Sequence, residues 1–292
     1  MTVTSDAAHS ADTAPAPTRL RTIVTYVDGE AASAARLDTA AALARTHGAH
    51  LSVLAIAHDP NIAAYGMTMA GATMADDFSG RAQAEVEARA REISERLQHE
   101  GVLFDVEAAV CTIPDVDIRL AECARYADLA LVEPPYAPDA GSTAADALEA
   151  VLFRGDTPVL ICPRSVEEIR TGAILVAWDG SDEALHAVNA AMGLLRAAGE
   201  VEIAMIGEDI EVAADARRLA AKLARHGVAV SLATHPADGR RTAEILLSRA
   251  KALQAGLLVM GAYSHSRLRE RVLGGVTREV LELTTLPVLM AH

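Results

Sequence analysis

The chain has 292 residues, half of them apolar, which is enough for about two domains of ordinary size with real cores. Its formal net charge is −14, which excludes a nucleic-acid backbone or an anionic membrane as the main partner. With only three Phe, five Tyr and one Trp, the core must be built from Ala, Val, Leu and Ile, a composition suited to helices packed on β-branched strands.

In chain order, residues 1–18 are rich in Ala, Ser, Thr and Pro and are expected to be a disordered tail. No apolar core of a secretory signal is visible there, and no apolar run reaches membrane-spanning length. A cytoplasmic location is the expectation. Strands are predicted near 22–28, 50–57, 102–110, 128–133 and 157–162, with helices near 31–47, 79–100, 114–126 and 142–154. A second series follows. Its strands fall near 173–178, 201–207, 228–234, 256–261 and 287–291, and its helices near 182–198, 210–226, 239–254 and 275–284.

The second series repeats the first. Thr22 to Gly29 matches Ala173 to Gly180, both apolar runs ending in Asp-Gly. Glu100-Gly101-Val102 matches His226-Gly227-Val228, and Ala127 to Val132 matches Ala255 to Met260. Thr157 to Cys162 matches Leu286 to Ala291. Four landmarks in one order define two units, 19–165 and 170–292. The offset is 151 at Thr22 and Ala173 but 126 at Gly101 and Gly227, so the first unit carries ~25 extra residues. These are placed at 58–80, as a surface loop or as a lid over the first unit's crevice.

Short, continuous apolar strands such as Leu257 to Met260 are buried on both faces of a parallel sheet. Alternation with helices predicts an α/β chain of two tandem doubly wound, Rossmann-like or flavodoxin-like domains. Each has a five-stranded, mainly parallel sheet flanked by helices. Ligands on such sheets sit beyond the carboxyl ends of the strands, where strand order reverses.

The segment with chemistry runs from Gly261 to Thr277. A strand ends in Gly261, a polar loop with Ser264, His265, Ser266, Arg267, Arg269 and Arg271 follows, and Gly274-Gly275-Val276-Thr277 opens a helix. A helix N-terminus offers unpaired N–H groups, and glycine lets a phosphate approach them. His265 sits inside this loop, either as a phosphate contact or as a solvated side chain.

The alternation, Asp179-Gly180-Ser181 after the first strand of the second unit, and this loop resemble the universal stress protein family, in its tandem form, from about Arg19 to His292. Nucleotide-binding members of that family carry Gly, two residues, Gly, nine residues, Gly, then Ser or Thr. Here the four positions hold Gly261, Ser264, Gly274 and Gly275, so two keep the pattern and two depart from it. The resemblance implies an adenine nucleotide, ATP or AMP, over Ala177, Asp179, Ile206, Gly261, Ser264, His265, Gly274, Gly275, Val276 and Thr277. Asp179 has a plainer reading as a turn or N-cap residue.

In the first unit the fourth strand ends in Val132-Glu133-Pro134-Pro135-Tyr136, without glycine, and Glu133 would repel a phosphate. That unit is read as degenerate and structural. Three functions stay open: a stress-response regulatory module binding a nucleotide in the second unit, a member that binds partners but no nucleotide, and a weak nucleotide hydrolase. No complete catalytic set is present, so no enzyme is expected. No metal is expected, since no HExxH and no close His/Asp cluster occurs. Cys111, Cys123 and Cys162 read as small buried hydrophobes. The similar last strands, Thr157 to Ile161 and Leu286 to Met290, are expected to pair the two units within one chain. A homodimer and an unknown regulatory protein are the further partners the reading allows.

Overall fold

The computed structural model describes residues 20–58, 69–137, 140–141, 143–166, 168–263 and 275–292. The first unit runs β1 (Thr22–Val27), α1 (Ala31–His47), β2 (His50–His58), α2 (Met69–Glu100), β3 (Leu103–Cys111), α3 (Ile113–Ala124), β4 (Leu129–Val132), α4 (Ala144–Phe153) and β5 (Val159–Ile161). The second runs β6 (Ala173–Ala177), α5 (Asp182–Ala190), α6 (Met192–Ala197), β7 (Glu200–Ile206), α7 (Ile210–Arg225), β8 (Val230–His235), α8 (Thr242–Ala252), β9 (Leu257–Gly261), α9 (Gly275–Leu283) and β10 (Val288–Ala291).

All ten strands form one sheet, in the order β3-β2-β1-β4-β5-β10-β9-β6-β7-β8. Within each unit neighbouring strands are parallel, as βαβ crossovers require. The units meet at the one antiparallel pair, where Val288, Leu289 and Met290 lie opposite Ile161, Leu160 and Val159. Each unit's last strand therefore covers the other's open edge. Both core layers run through this seam: Leu160 and Leu289 belong to one, and Val159, Ile161, Val288 and Met290 to the other.

Three expectations need correction. The extra segment of the first unit is not wholly a loop, because α2 begins at Met69, ten residues earlier than predicted. Residues 59–68 lie outside the described residues. The single helix expected over 182–198 is two, broken at Ala191, with the weak helix formers Asn189 and Gly193 on either side. Helix α8 starts at Thr242 rather than 239, because Asp238 (φ +47°) and Gly239 (φ +71°) form a left-handed turn first. Cys111 and Cys162 are buried as expected, and Cys123 is half-buried; all three thiols are pushed up by burial.

Candidate functional site

Strand order reverses between β1 and β4 in the first unit and between β6 and β9 in the second, so each unit has a crevice beyond those strand ends. The second unit's crevice begins with Ala177, Trp178 and Asp179. Asp179 is exposed, and its Oδ1 accepts from the Ser181 amide (3.0 Å) and the Ser181 hydroxyl (2.5 Å). Ser181 Oγ in turn accepts from the Ala184 amide at 3.2 Å, capping α5. The plainer role of Asp179 is thus present, with one carboxylate oxygen committed to the turn. Gly180 takes a left-handed φ of +81°, which the tight strand-to-helix turn demands. Ile206 ends β7 half-buried, two residues beyond Ala204, the register partner of Ala177.

Gly261, at the end of β9, is required by packing. A Cβ on it would lie 2.6 Å from the Ala184 nitrogen and 2.9 Å from the Glu183 carbonyl carbon. The first turn of α5 therefore rests directly on the strand end. Ser264, His265 and Gly274 lie outside the described residues, as do Arg267, Arg269 and Arg271. Beyond them, Gly275 and Val276 are exposed at the N-terminus of α9, and among the described residues none comes within 4 Å of the position of a Gly275 Cβ. Thr277 faces inward: it is 5% exposed, and its Oγ1 lies 3.5 Å from the Tyr263 nitrogen. The structure thus gathers Ala177, Asp179, Ile206 and Gly261 at adjoining strand ends and sets Gly275 and Val276 at a helix start. It turns the Thr277 hydroxyl toward the chain itself.

The first crevice is filled by its own side chains. At the offset that matches Asp28 to Asp179, Tyr26 stands for Ala177, Ser33 for Ala184 and Arg36 for Ala187; at the offset that matches Val132 to Met260, Glu133 stands for Gly261. Arg36, at 3% exposure, lies 3.9 Å over the Tyr26 ring and donates to the Tyr26 carbonyl from Nη2 (2.9 Å) and Nε (3.2 Å). It is paired with Glu133 at 3.6 Å and Asp28 at 4.0 Å. Asp28 Oδ1 also accepts from Ser33 Oγ at 2.5 Å. Burial pushes the Glu133 carboxyl up, against the pull of Arg36 and of the Gly141 amide that donates to it at 3.1 Å. Arg89 of α2 closes the other side, donating to the Ile56 carbonyl at the end of β2 and pairing with Glu85 at 2.7 Å.

The sequence reading missed Arg36 and Gly141. Arg36 was legible by laying α1 on α5, where a charged residue replaces Ala187. Gly141-Ser142 precedes α4 in the sequence as Gly274 precedes α9, so the first unit's loop is not without glycine. Its glycine donates to a buried glutamate.

Among the described residues no group of three or more His, Cys, Asp or Glu is placed to hold a metal ion, and no helix is long and apolar enough to cross a membrane. The ion pair of buried Glu202 with half-buried Arg249, joined by His235 at 3.4 Å, lies on β7, α8 and β8. The Arg249 hydrogen bonds hold the Glu202 carboxyl below the usual carboxylate range.

Residues 197–292 match the model of the universal stress protein family. No protein of curated function matches the chain. Among solved structures, a universal stress protein from Archaeoglobus fulgidus DSM 4304 superposes with a TM-score of 0.71 at 17% identity, over 92% of this chain and 97% of that one. A Pseudomonas aeruginosa UCBPP-PA14 protein assigned to the universal stress proteins aligns over 92% of both chains, with a TM-score of 0.56 at 18% identity. At these identities the likeness is one of fold. A universal stress protein in complex with cAMP aligns with 41% of this chain and 95% of its own, at 25% identity and a TM-score of 0.36. The family model falls on the second unit, and over nearly the whole chain the fold is like that of a tandem universal stress protein.

Proposed function

We propose that the chain is a regulatory binding module of the stress response that takes an adenine nucleotide, ATP or AMP, in its second unit. One observation carries this reading. The second unit places Gly261 at the end of β9, beside the strand that leads to Asp179, and Gly275 at the start of α9, whereas the first unit fills the matching crevice with Tyr26, Arg36 and Glu133. A phosphate would meet the N-terminus of α9 at Gly275 and Val276, where exposed amides and the helix dipole favour an anion. The base and ribose would lie toward Ala177, Asp179 and Ile206. The module works by binding and not by catalysis, and reports through a protein partner.

Titration of the purified chain with a fluorescent ATP analogue tests the reading. Saturable binding of one molecule per chain, weakened by Asp179→Ala, is expected; no saturation at millimolar probe overturns it. The inward-turned Thr277 hydroxyl and the Asp179–Ser181 bonds favour a second reading, a member that binds partners without nucleotide. Steady-state phosphate release above background would overturn the non-catalytic part.

A further inference from the structure

We propose that the first unit's crevice is a binding site for a guanidinium group, and that Arg36 is a ligand which the chain supplies to itself. The crevice lies where strand order reverses between β1 and β4, the place where an open α/β sheet takes its ligands. The Arg36 guanidinium reaches into it from α1, and a cradle closes around it. The Tyr26 ring lies flat against it, 3.9 Å from centroid to central carbon. One edge of the guanidinium, Nε and Nη2, donates to the Tyr26 carbonyl at 3.2 and 2.9 Å, and Nη2 also reaches Ser33 Oγ at 3.2 Å. Nη1 faces Glu133 at 3.6 Å, and Asp28 lies 4.0 Å from Nη2.

The parts of the cradle suit a planar fork better than a compact ammonium. An aromatic face, a carbonyl that takes two donors from one edge and a carboxylate beyond another edge are what a guanidinium can use together. The walls are fixed by bonds that do not involve Arg36. Asp28 Oδ1 accepts from Ser33 Oγ at 2.5 Å and from the Glu30 amide at 3.2 Å, and Glu133 accepts from the Gly141 amide at 3.1 Å. The Asp28 and Glu133 side chains are only 1% and 4% exposed, so two carboxylates demand a cation in a place nearly closed to water. Arg36 does not exhaust the site: Asp28 Oδ2 and the Tyr26 hydroxyl are buried without a hydrogen-bond partner among the described residues.

The second unit has no such cradle. Ala177, Ala187 and Gly261 stand where the first unit has Tyr26, Arg36 and Glu133, and of the charged groups only the aspartate is shared. The first unit is therefore liganded from within. It draws the end of β1, helix α1 and the end of β4 together around its own arginine and needs no molecule from solution to close its crevice.

The test is chemical rescue in the full chain, with Arg36→Ala and with Arg36→Ala combined with Glu133→Gln, which strands one carboxylate fewer. Thermal unfolding of each is followed in guanidinium chloride far below denaturing concentrations, beside equal concentrations of methylammonium chloride and sodium chloride. Guanidinium should stabilise both variants more than either control salt does. At roughly ten times its dissociation constant it should raise the folded-to-unfolded ratio about tenfold. In the wild type, where Arg36 holds the site, the same additions should only destabilise. Arg36→Lys keeps the charge without the fork and should recover only a minor part of the lost stability. If the single variant is unfolded in every salt, the double variant decides by the same comparison. Equal effects of the three salts on the variant that folds, no rescue of either variant, or an Arg36→Lys chain as stable as the wild type overturns the proposal.

Discussion

Gly261 and Ala184 stand so close that a single added carbon on the glycine would lie 2.6 Å from the Ala184 nitrogen. The contact brings the first turn of α5 onto the end of β9. Gly261→Ala should therefore destabilise the chain by about 1–3 kcal/mol through overpacking. Urea unfolding measures this directly. A cost below 0.5 kcal/mol, on the order of an ordinary surface change, would show that α5 yields.

The first unit meets the same packing demand with charge. Arg36 balances Asp28 and Glu133 in a place almost closed to water. Arg36→Ala leaves two buried carboxylates without their cation and should cost about 3–5 kcal/mol. Glu133→Gln should cost much less, since Arg36 keeps Asp28. Because burial raises the Glu133 carboxyl, its ionised form works against the fold once pH rises through that raised value. The stability of Glu133→Gln relative to wild type should accordingly improve with rising pH, as unfolding curves at several pH values would reveal.

Glu202 behaves in the opposite sense. Its folded carboxyl is held below the ordinary value, chiefly by the Arg249 hydrogen bonds. Its contribution is complete above the unfolded carboxylate value of about 4.3 and disappears as pH falls through the lower folded value. Glu202→Gln should cost about 2 kcal/mol at neutral pH, and the gap to wild type should close in acid. A gap that persists at pH 2 would assign the loss to packing instead.

Gly275 offers a gain instead of a loss. Among the described residues nothing lies within 4 Å of the position of a Cβ there, at the exposed start of α9. Gly275→Ser should leave stability within about 0.5 kcal/mol of wild type. It also restores the hydroxyl that the family pattern places at this position. Tighter binding of the ATP analogue is expected, and unchanged or weaker binding would count against a phosphate at this helix.

Much of the architecture was legible along the chain. Apolar runs such as Ile174 to Ala177 and Leu257 to Met260 read as strands because parallel sheets bury both strand faces, so the run itself carries the signal. The boundaries that moved were those set by neighbours or by a turn: the left-handed step at Asp238-Gly239 and the break at Ala191. The candidate site was legible only in its residue types. That Gly261 serves helix packing, and that Thr277 turns toward Tyr263, depends on how α5 and α9 dock, which local spacing does not encode.

The sequence by itself determined the repeat, the strand–helix alternation and the Asp-Gly and Gly-Gly landmarks, because periodicity and turn chemistry are local properties. Tertiary structure decided the rest. The likeness of the two last strands already pointed to the joining of the units, but tertiary structure alone drew Arg36 between Asp28 and Glu133 and set Phe153 of one unit against Tyr263 of the other. Arg36 and Glu133 are 97 residues apart and Phe153 and Tyr263 are 110 apart, and only the burial of both sheet faces brings them within reach.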